Sequence, residues 1–469
     1  MSVALVLFRR DLRLADNPAL SAACASHARV LPVYVHAPEE EGDFPPGAAS
    51  RWWLHHSLAA LAGALRERQA GLHLARGPTL ETLLALVAQS GATAVYWNRL
   101  YEPAAIARDT RLKSALQEQG IEVHSHPAAL WCEPWRIATG QGGPYRVFSP
   151  YWRTLRAQLA SEAPLPEPSL GEWREMNGAL PLSSLGLLPD RPWDGGLAAA
   201  WRPGEAGAHE LLDIFADDAL ADYAQVRDLP ARHGTSRLSP HLHFGEISPR
   251  QIHHRLAARN ERAGGRLDLE PYLRELGWRE FAHHLLYHFP ATPTTNFNPR
   301  MGDGLWEAPD AHSLARWQQG RTGIPLVDAG MRELWHTGWM HNRVRMIVAS
   351  FLTKNLRQHW RHGAAWFWDT LVDADLANNT MGWQWVAGCG ADAAPYFRVF
   401  NPVTQALRFD PQGRYLARWL PELAAAPAPL RHEPWKDPAL LRRSGYPAPM
   451  VDLARSRQRA LQAYRQVGG

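Results

Sequence analysis

One short stretch of the chain combines side chains that rarely occur together in a protein core. Asp373 and Asp375 stand two residues apart, and Asn379, Trp383 and Trp385 follow within ten residues. Carboxylates and amides are seldom fully buried without partners, yet most neighbours here are apolar or aromatic. The stretch therefore needs something polar to hold, and the tryptophans indicate a planar ligand that is redox-active or able to stack. We interpret it as the wall of a cofactor pocket.

A second polar segment, 234–240, places three hydroxyl side chains before a predicted helix. Ser239, with the proline after it, has the pattern of an N-cap, and Ser248–Gln251 has that of a capping box. Thr235 and Ser236 are not needed for capping. Hydroxyls and backbone N–H groups beside a helix N-terminus suit a phosphate or pyrophosphate.

The composition excludes several classes of protein. Hydrophobic residues make up 46% of the 469 positions, which is typical of a globular chain of two or three domains. No apolar run approaches the ~18 residues that a membrane span needs, and we expect no signal peptide. Three well-separated cysteines predict neither a disulfide framework nor a zinc site, and a reducing cytosol is the default.

The formal charge is only +4, but nearly all the basic residues are arginines. The bias has two alternative explanations, genome composition and phosphate recognition by arginine forks. Net charge does not decide between them. The chain also contains 21 tryptophans. Most of them are expected in the core, but so large a number leaves some for stacking or electronic roles.

The first 130 residues alternate between short apolar runs and helical patterns. Such alternation predicts a parallel, Rossmann-like sheet covered by helices on both faces. The predicted strands are 3–8, 30–35, 72–75, 94–97 and 121–123, and the predicted helices begin after Asn17 and span 50–68 and 79–90. No Gly-x-Gly-x-x-Gly or Walker motif follows a strand, which disfavours a dinucleotide or nucleoside triphosphate site there.

The remainder of the chain divides into a connector and a helical domain. Residues 131–200 are rich in proline and predict a long irregular linker. From 201 to 469 only helical periodicity remains, so we predict an all-α C-terminal domain. The predicted helices are 209–225, 249–260, 269–289, 325–336 and 344–360.

Taken in order along the chain, the motifs resemble those of the photolyase/cryptochrome family over nearly the whole length. The segments that carry this resemblance are Phe8–Leu14, Gly234–Pro240, Trp278–Phe281, Gly323–Asp328, Gly338–Arg343, Asp373–Trp385 and Ala394–Pro402. The resemblance implies an α/β N-terminal domain, a linker, and an all-α domain that binds FAD in a folded conformation. Within the family, the chain most resembles the DNA photolyases. The resemblance therefore implies that it splits cyclobutane pyrimidine dimers with light through fully reduced FADH⁻.

The same resemblance assigns cofactor positions. The residues that match FAD-binding positions are Tyr223, Thr235, Ser236, Arg237, Leu238, Ser239, Tyr272, Asp373, Ala374, Asp375 and Asn379. Asn379 matches the residue that faces flavin N5, where a neutral amide can donate or accept a hydrogen bond. Plant cryptochromes are similar here but have Asp at that position, so Asn379 favours a photolyase.

Substrate positions follow from the resemblance in the same way. The residues that match the pocket for the flipped-out dimer are Glu275, Trp278, Asn342, Met346 and Trp385, and the further DNA-binding matches are Arg227, Arg343, Arg398 and Gln405. Phosphate contacts provide affinity without sequence preference. The 6-4 photolyases have a His at the position of Asn342, while His341 is adjacent but out of register, so cyclobutane dimers are the favoured substrate.

Trp383, Trp360 and Trp306 match a tryptophan triad that carries electrons from the surface to the flavin, with Trp317 as the alternative to Trp306. An antenna chromophore, methenyltetrahydrofolate or 8-hydroxy-5-deazaflavin, stays undecided. Tyr101-Glu102-Pro103 lies near a folate-binding region of some relatives, but Ala105 replaces an acidic residue. A signalling flavoprotein is the rival function, disfavoured by Asn379 and a short C-terminal end. We expect a cytoplasmic monomer that associates with the nucleoid through damaged DNA, with no bound metal.

Overall fold

The computed structural model describes residues 2–159, 163–171, 173, 176–393 and 397–468. Its sheet has five parallel strands in the order β3-β2-β1-β4-β5, which confirms the predicted α/β fold. The strands are Val3–Phe8 (β1), Arg29–His36 (β2), His73–Arg76 (β3), Ala94–Asn98 (β4) and Glu122–His126 (β5). Leu5 of the central strand pairs with Leu31 and Val95, and all six residues of β1 are buried. Burial on both faces explains why β1 is a continuous apolar run.

Helices connect the strands and continue into the segment predicted as a linker. They are Pro18–Ser26 (α1), Ala48–Glu67 (α2), Thr79–Ser90 (α3), Pro103–Glu118 (α4), Phe148–Gln158 (α5), Gly195–Ala200 (α6) and Glu205–Ile214 (α7). Asn17 caps α1 by accepting a hydrogen bond from the Leu20 backbone N–H, as its position before Pro18 predicts. No strand follows His126 within the ranges that the structure describes.

The C-terminal part is helical, as predicted. Its helices are Tyr223–Val226 (α8), Ser239–His243 (α9), Pro249–Arg262 (α10), Glu270–His288 (α11), Ala311–Gln318 (α12), Pro325–Thr337 (α13), Asn342–Ser350 (α14), Trp360–Thr370 (α15), Leu376–Ala387 (α16), Pro402–Phe409 (α17), Arg414–Trp419 (α18), Ala428–His432 (α19), Pro438–Ser444 (α20) and Leu453–Gly468 (α21). The capping box at Ser248 and Gln251 is confirmed, with both of its hydrogen bonds present. No helix among the described residues is both long and apolar enough to cross a membrane.

Two of the predicted helices are interrupted. The predicted helix 344–360 widens into a π-helical turn at Phe351–Asn355, and Arg357 then adopts a left-handed φ of 51°. His359 caps the next helix by accepting from the Arg361 backbone N–H, so Trp360 belongs to α15. The predicted helix 209–225 likewise contains a π-helical turn, at Phe215–Ala219. Apolar periodicity does not reveal such breaks, because the buried stripe continues past them.

The chain packs as two compact units. The first comprises Met1–Ala221 and Ser236–Pro290, and the second Asp222–Thr235 and Ala291–Gly469. The first unit therefore includes the segment predicted as a linker and part of the predicted helical domain. The large buried side chains at the core of the second unit include Trp317, Phe351 and Trp360. The predicted domain boundaries at 130 and 200 stay predictions.

Candidate active site

In the first unit, the segment 236–239 leads into α9, forms a side-chain-to-backbone turn at Ser236 and displays hydroxyl groups. Tyr272 of α11 donates its hydroxyl to Ser236 Oγ at 2.9 Å, and the Leu238 backbone N–H lies 3.4 Å from the same oxygen. Arg237, between them, has a left-handed φ of 54°. The predicted N-cap role of Ser239 is wrong: Leu238 already has helix-like angles, so α9 begins at Ser239 without a side-chain cap.

Helix α11 presents Tyr272, Glu275 and Trp278 at successive intervals of three residues, so they lie along one side of the helix. The Trp278 ring stacks on Phe148, with ring centroids 3.6 Å apart and planes at 11°. Glu275 is half-buried. The stack fixes one face of the Trp278 indole, and the same ring has a second face for a planar ligand. Phe148 was not predicted as a site residue, since it lies in the segment predicted as an irregular linker.

In the second unit, both predicted carboxylates have specific partners. Arg345 Nη2 lies 2.8 and 3.1 Å from the two carboxylate oxygens of Asp373, and Arg345 Nε donates to the Met340 carbonyl at 2.7 Å. Asp375 caps α16 by accepting from the Asn378 backbone N–H at 2.8 Å. Arg345 was not among the predicted site residues. Its only sequence signal is that it falls off the apolar stripe of its helix. Ala374, between the two carboxylates, is buried.

Asn379 has a defined amide orientation. Its Nδ2 donates to the Ala364 backbone carbonyl at 3.0 Å, which assigns the oxygen and nitrogen of the amide. Its Oδ1 receives no hydrogen bond from the residues that the structure describes. A neutral, half-buried acceptor at this position is therefore available to a ligand N–H.

The three predicted relay tryptophans all lie in the second unit. Trp360 begins α15 and donates Nε1 to Asn296 Oδ1 at 2.8 Å. The Trp306 ring lies 4.3 Å from the ring of His359, the residue before Trp360. Trp383 of α16 packs against α15, and its ring lies 4.9 Å from that of Phe367.

Trp317, the alternative end of the relay, occupies a different place. Its ring lies 6.1 Å from Trp383, its Nε1 donates to the Val348 carbonyl, and it has no exposed surface. Trp306 is 8% exposed, and the His359 ring, 4.3 Å from its own, lies 5.6 Å from the Trp360 ring. The proposed relay must end at a residue that solvent can reach, and Trp306 fits this requirement better than Trp317 does.

Helix α14 begins with the residues predicted to contact the lesion. Asn342 is exposed at its first position, and Met346 lies one turn later on the same side. Arg343 forms an ion pair with Asp228 at 2.7 Å and lies 4.6 Å over the Phe409 ring. His341 caps the helix and is buried. Burial lowers the pKa of His341 to about 4 and makes it a poor acid at neutral pH.

The other predicted DNA contacts lie on loops and short helices of the same unit. Arg398 is exposed and its guanidinium lies 5.1 Å over Phe400, while Gln405 is half-buried on α17. Trp385 is half-buried and donates Nε1 to the Asp392 carbonyl at 3.0 Å. The first residues of the motif Ala394–Pro402, positions 394–396, lie outside the described residues.

The remaining predicted positions flank these groups. Tyr223 begins α8 and is buried, with the Arg227 guanidinium 5.4 Å over its ring. Thr235 is half-buried in the loop before Ser236. Near the C-terminal ends of the strands, Glu102 forms an ion pair with Arg10 at 2.5 Å.

Two family models match the chain: DNA photolyase over residues 4–169, and the FAD binding domain of DNA photolyase over residues 272–466. The chain is 45% identical to the deoxyribodipyrimidine photo-lyase of Agrobacterium fabrum, across 99% of this chain and 98% of that protein. The chain belongs to the photolyase/cryptochrome family. This family includes cryptochrome-2 of Arabidopsis thaliana, which is 40% identical over 97% of this chain and 77% of its own length.

A solved member of the family has the same fold. The crystal structure of a bacterial class III photolyase from Agrobacterium tumefaciens superposes with a TM-score of 0.94 at 44% identity, and covers 100% of this chain and 98% of that chain. The photolyase-type FAD-binding domain includes Tyr272, Asp373, Asp375 and Asn379. These residues are chemically appropriate for FAD. The hydroxyl suits a phosphate, the carboxylates suit ribityl or ribose hydroxyls, and the amide suits a ring N–H.

Proposed function

We propose that this protein repairs cyclobutane pyrimidine dimers in DNA with light, as a deoxyribodipyrimidine photolyase. The observation that carries the proposal is the Asn379 amide, held by the Ala364 carbonyl at 3.0 Å. With FAD bound, this neutral amide oxygen would accept a hydrogen bond from flavin N5–H and so favour the reduced flavin, whereas the Asp of plant cryptochromes carries a titratable proton. The family membership supports a flavin reaction, and this residue supports the repair branch.

Bound FAD in its fully reduced form supplies the light-excited electron that opens the cyclobutane ring and is afterwards returned. The protein's own residues bind the cofactor and orient it. Ser236 and Tyr272 provide hydroxyls for the phosphates, and Asp373, fixed by Arg345, provides a rigid acceptor for sugar hydroxyls. The two contacts from Arg345 hold the Asp373 carboxylate in one orientation without help from the cofactor.

The lesion-binding roles are proposed residue by residue. Trp278, already stacked on Phe148, offers its other face to a pyrimidine ring, and Trp385 offers a second apolar wall. Glu275 hydrogen-bonds the dimer, and a proton shared in that hydrogen bond stabilises the negative charge that develops on the dimer. Asn342 and Met346 contact the bases from α14. A damaged base pair costs less to unstack than an intact one, which favours lesion over normal DNA.

DNA affinity is proposed to come from arginines. Arg227, Arg343 and Arg398 contact phosphates near the lesion, and Gln405 adds a neutral contact. Arg343 is held by Asp228 and Phe409, so its guanidinium is partly oriented in advance. The relay of Trp306, Trp360 and Trp383 is proposed to reduce oxidised flavin, with Trp306 at the solvent end.

Two alternative functions can be tested in the same experiment as the proposed one. One is repair of 6-4 photoproducts, which the exposed Asn342 and the neutral His341 disfavour because neither provides an acid at neutral pH. The other is blue-light signalling without repair, as in the cryptochrome relatives.

The test uses purified protein, chemically reduced, mixed with oligonucleotides that contain either a cyclobutane thymine dimer or a 6-4 product. Illumination with near-UV or blue light should restore thymine absorbance only in the first, and a sample kept in the dark should show no change. Recovery in the 6-4 oligonucleotide alone would replace the proposed substrate. Recovery in neither would favour signalling.

A further inference from the structure

Trp201 is a buried aromatic residue at the end of α6, outside all the positions considered so far. It is 7% exposed, and the guanidinium carbon of Arg237 lies 4.2 Å over its ring centroid. This separation is well inside the range of a cation–π interaction. The two residues are 36 positions apart in sequence but lie in the same compact unit.

Arg237 has a backbone conformation that a contact to its side chain can stabilise. It lies between Ser236 and Leu238 with a left-handed φ of 54°, which costs free energy for a residue with a Cβ atom. The Leu238 backbone N–H lies 3.4 Å from Ser236 Oγ, so the Ser236 side chain spans this left-handed residue. Anything that holds the Arg237 side chain in place also holds this turn.

Trp201 is itself held firmly. Its ring lies 5.4 Å from that of Trp53, and Trp53 donates Nε1 to Glu246 Oε1 at 3.1 Å. The same oxygen accepts from the Gly204 backbone N–H at 2.8 Å, just after Trp201. Glu246 has no exposed surface, and its other oxygen lies 2.5 Å from His241 Nδ1, in α9. One buried carboxylate thus connects the segment that carries Trp201 to the helix that follows the turn.

We propose that Trp201 is a positioning residue for the flavin-phosphate turn 236–239. Its ring stacks on Arg237, offsets the unfavourable left-handed conformation and keeps the turn in its binding shape before FAD arrives. The inference rests on the proposed role of this turn in holding FAD. It predicts that Trp201 affects cofactor affinity without touching the cofactor, and only through Arg237.

The experiment measures the dissociation constant of FAD from apoprotein by flavin fluorescence, for the wild type, Trp201→Leu, Arg237→Ala and the double variant. Each single substitution should weaken FAD binding by about tenfold, the scale of one stacked cation. The double variant should be no more than about twofold weaker than Arg237→Ala alone, because Trp201→Leu has no contact left to remove once Arg237 is absent. Trp201→Phe keeps a ring face and should stay within about threefold of the wild type.

Trp52→Leu is the matched control for the loss of a buried tryptophan. Trp52 is 1% exposed, lies beside Trp53 in α2, and its ring contacts are to Trp53 and His56. It should lower the thermal midpoint of the apoprotein yet leave the affinity of folded protein for FAD unchanged.

The possible results are distinguishable. Unchanged affinity in Arg237→Ala, which does not depend on whether Trp201→Leu folds, would overturn the inference. So would multiplicative losses in the double variant, or an affinity loss in Trp52→Leu equal to that in Trp201→Leu. If the wild type binds no FAD, the proposed function fails instead.

Discussion

At the scale of single residues, three of the proposed site residues are oriented by contacts with groups outside the proposed site. The Ala364 carbonyl decides which atom Asn379 offers, Arg345 fixes Asp373, and Phe148 supports Trp278. Each contact replaces conformational freedom with one orientation, so less entropy is lost when a ligand binds. Substitutions at the ligand-facing residues should therefore change function more than folding.

Glu275→Ala should lower the yield of dimer repair by about tenfold or more, because a hydrogen bond to the lesion is lost and a buried partner is left unpaired. FAD content should not change, since the proposed role of Glu275 is toward DNA. The measurement is repair per absorbed photon together with the flavin-to-protein ratio. Glu275→Gln keeps a hydrogen-bonding group and should be less impaired. Loss of flavin from the Ala variant would show that this residue serves the cofactor instead.

Trp360→Phe should block photoreduction of oxidised flavin while sparing repair by chemically reduced protein. Phenylalanine is far harder to oxidise than tryptophan, so the path through α15 is interrupted. The measurement is the rate at which flavin absorbance bleaches under blue light with an external reductant.

Trp317→Phe is the control for that substitution. It removes a buried indole that touches Trp383 but has no exposed surface, so it should retain photoreduction despite lower stability. The opposite pattern, with Trp317 essential and Trp360 dispensable, would place the relay on the other side of Trp383.

At the scale of elements, helices α15 and α16 approach so closely that one position admits only glycine. A Cβ atom on Gly363 would lie 2.0 Å from Trp383 Cη2. The missing side chain lets the Trp383 indole lie directly on the α15 backbone, and the same approach brings Ala364 within hydrogen-bonding distance of Asn379. Helix spacing and the orientation of the proposed flavin contact are thus set together.

Gly363→Ala should destabilise the second unit by about 1–3 kcal/mol or more, because the helices must separate to admit the methyl group. It should also slow photoreduction through the displaced Trp383. The measurement is the thermal midpoint of the flavin-loaded protein.

Gly382→Ala is a matched control on α16, where an added Cβ meets no atom within 4 Å. There the substitution should be neutral or stabilising by up to about 1 kcal/mol, from helix propensity. Equal losses at both glycines would argue against the close approach.

At the scale of the whole molecule, both units bury titratable groups whose pKa in the folded protein differs from the ordinary value. Burial lowers the pKa of His284 to about 4 in the first unit and that of His341 to about 4 in the second. Burial raises the pKa of Glu280 to about 7. The folded histidines are neutral, while in unfolded protein they bind protons below about pH 6.5. Their contribution to stability is therefore present above that pH and is lost as the pH falls towards 4, and the contribution of Glu280 has the opposite sign.

His341→Asn should remove part of this acid sensitivity. Asparagine is a good N-cap, so it can accept from the Arg343 backbone N–H as His341 does at 3.2 Å, but it does not titrate. The fall in thermal midpoint between about pH 7 and about pH 5 should be smaller in the variant. Glu280 is present in both proteins, so its opposing contribution cancels in the comparison. An identical fall in both proteins would show that His341 is not the residue that titrates.

Much of this protein could be predicted from local sequence. The strands follow from apolar runs such as Val3–Phe8, and the caps at Asn17 and Ser248 follow from side chains that bond to the backbone a few residues away. The chemical character of the site was also evident, because Asp373, Asp375 and Asn379 are close in sequence and unusual in an apolar setting.

Other features required the folded chain. Asp373 meets Arg345 across 28 positions, and Asn379 meets Ala364 across 15. The helix break at Arg357 and the stack of Trp278 on Phe148 likewise depend on which elements pack together. Local patterns record a residue's preference for backbone shape and burial. They do not record its partner, because the partner is selected by close packing between segments that are distant along the chain.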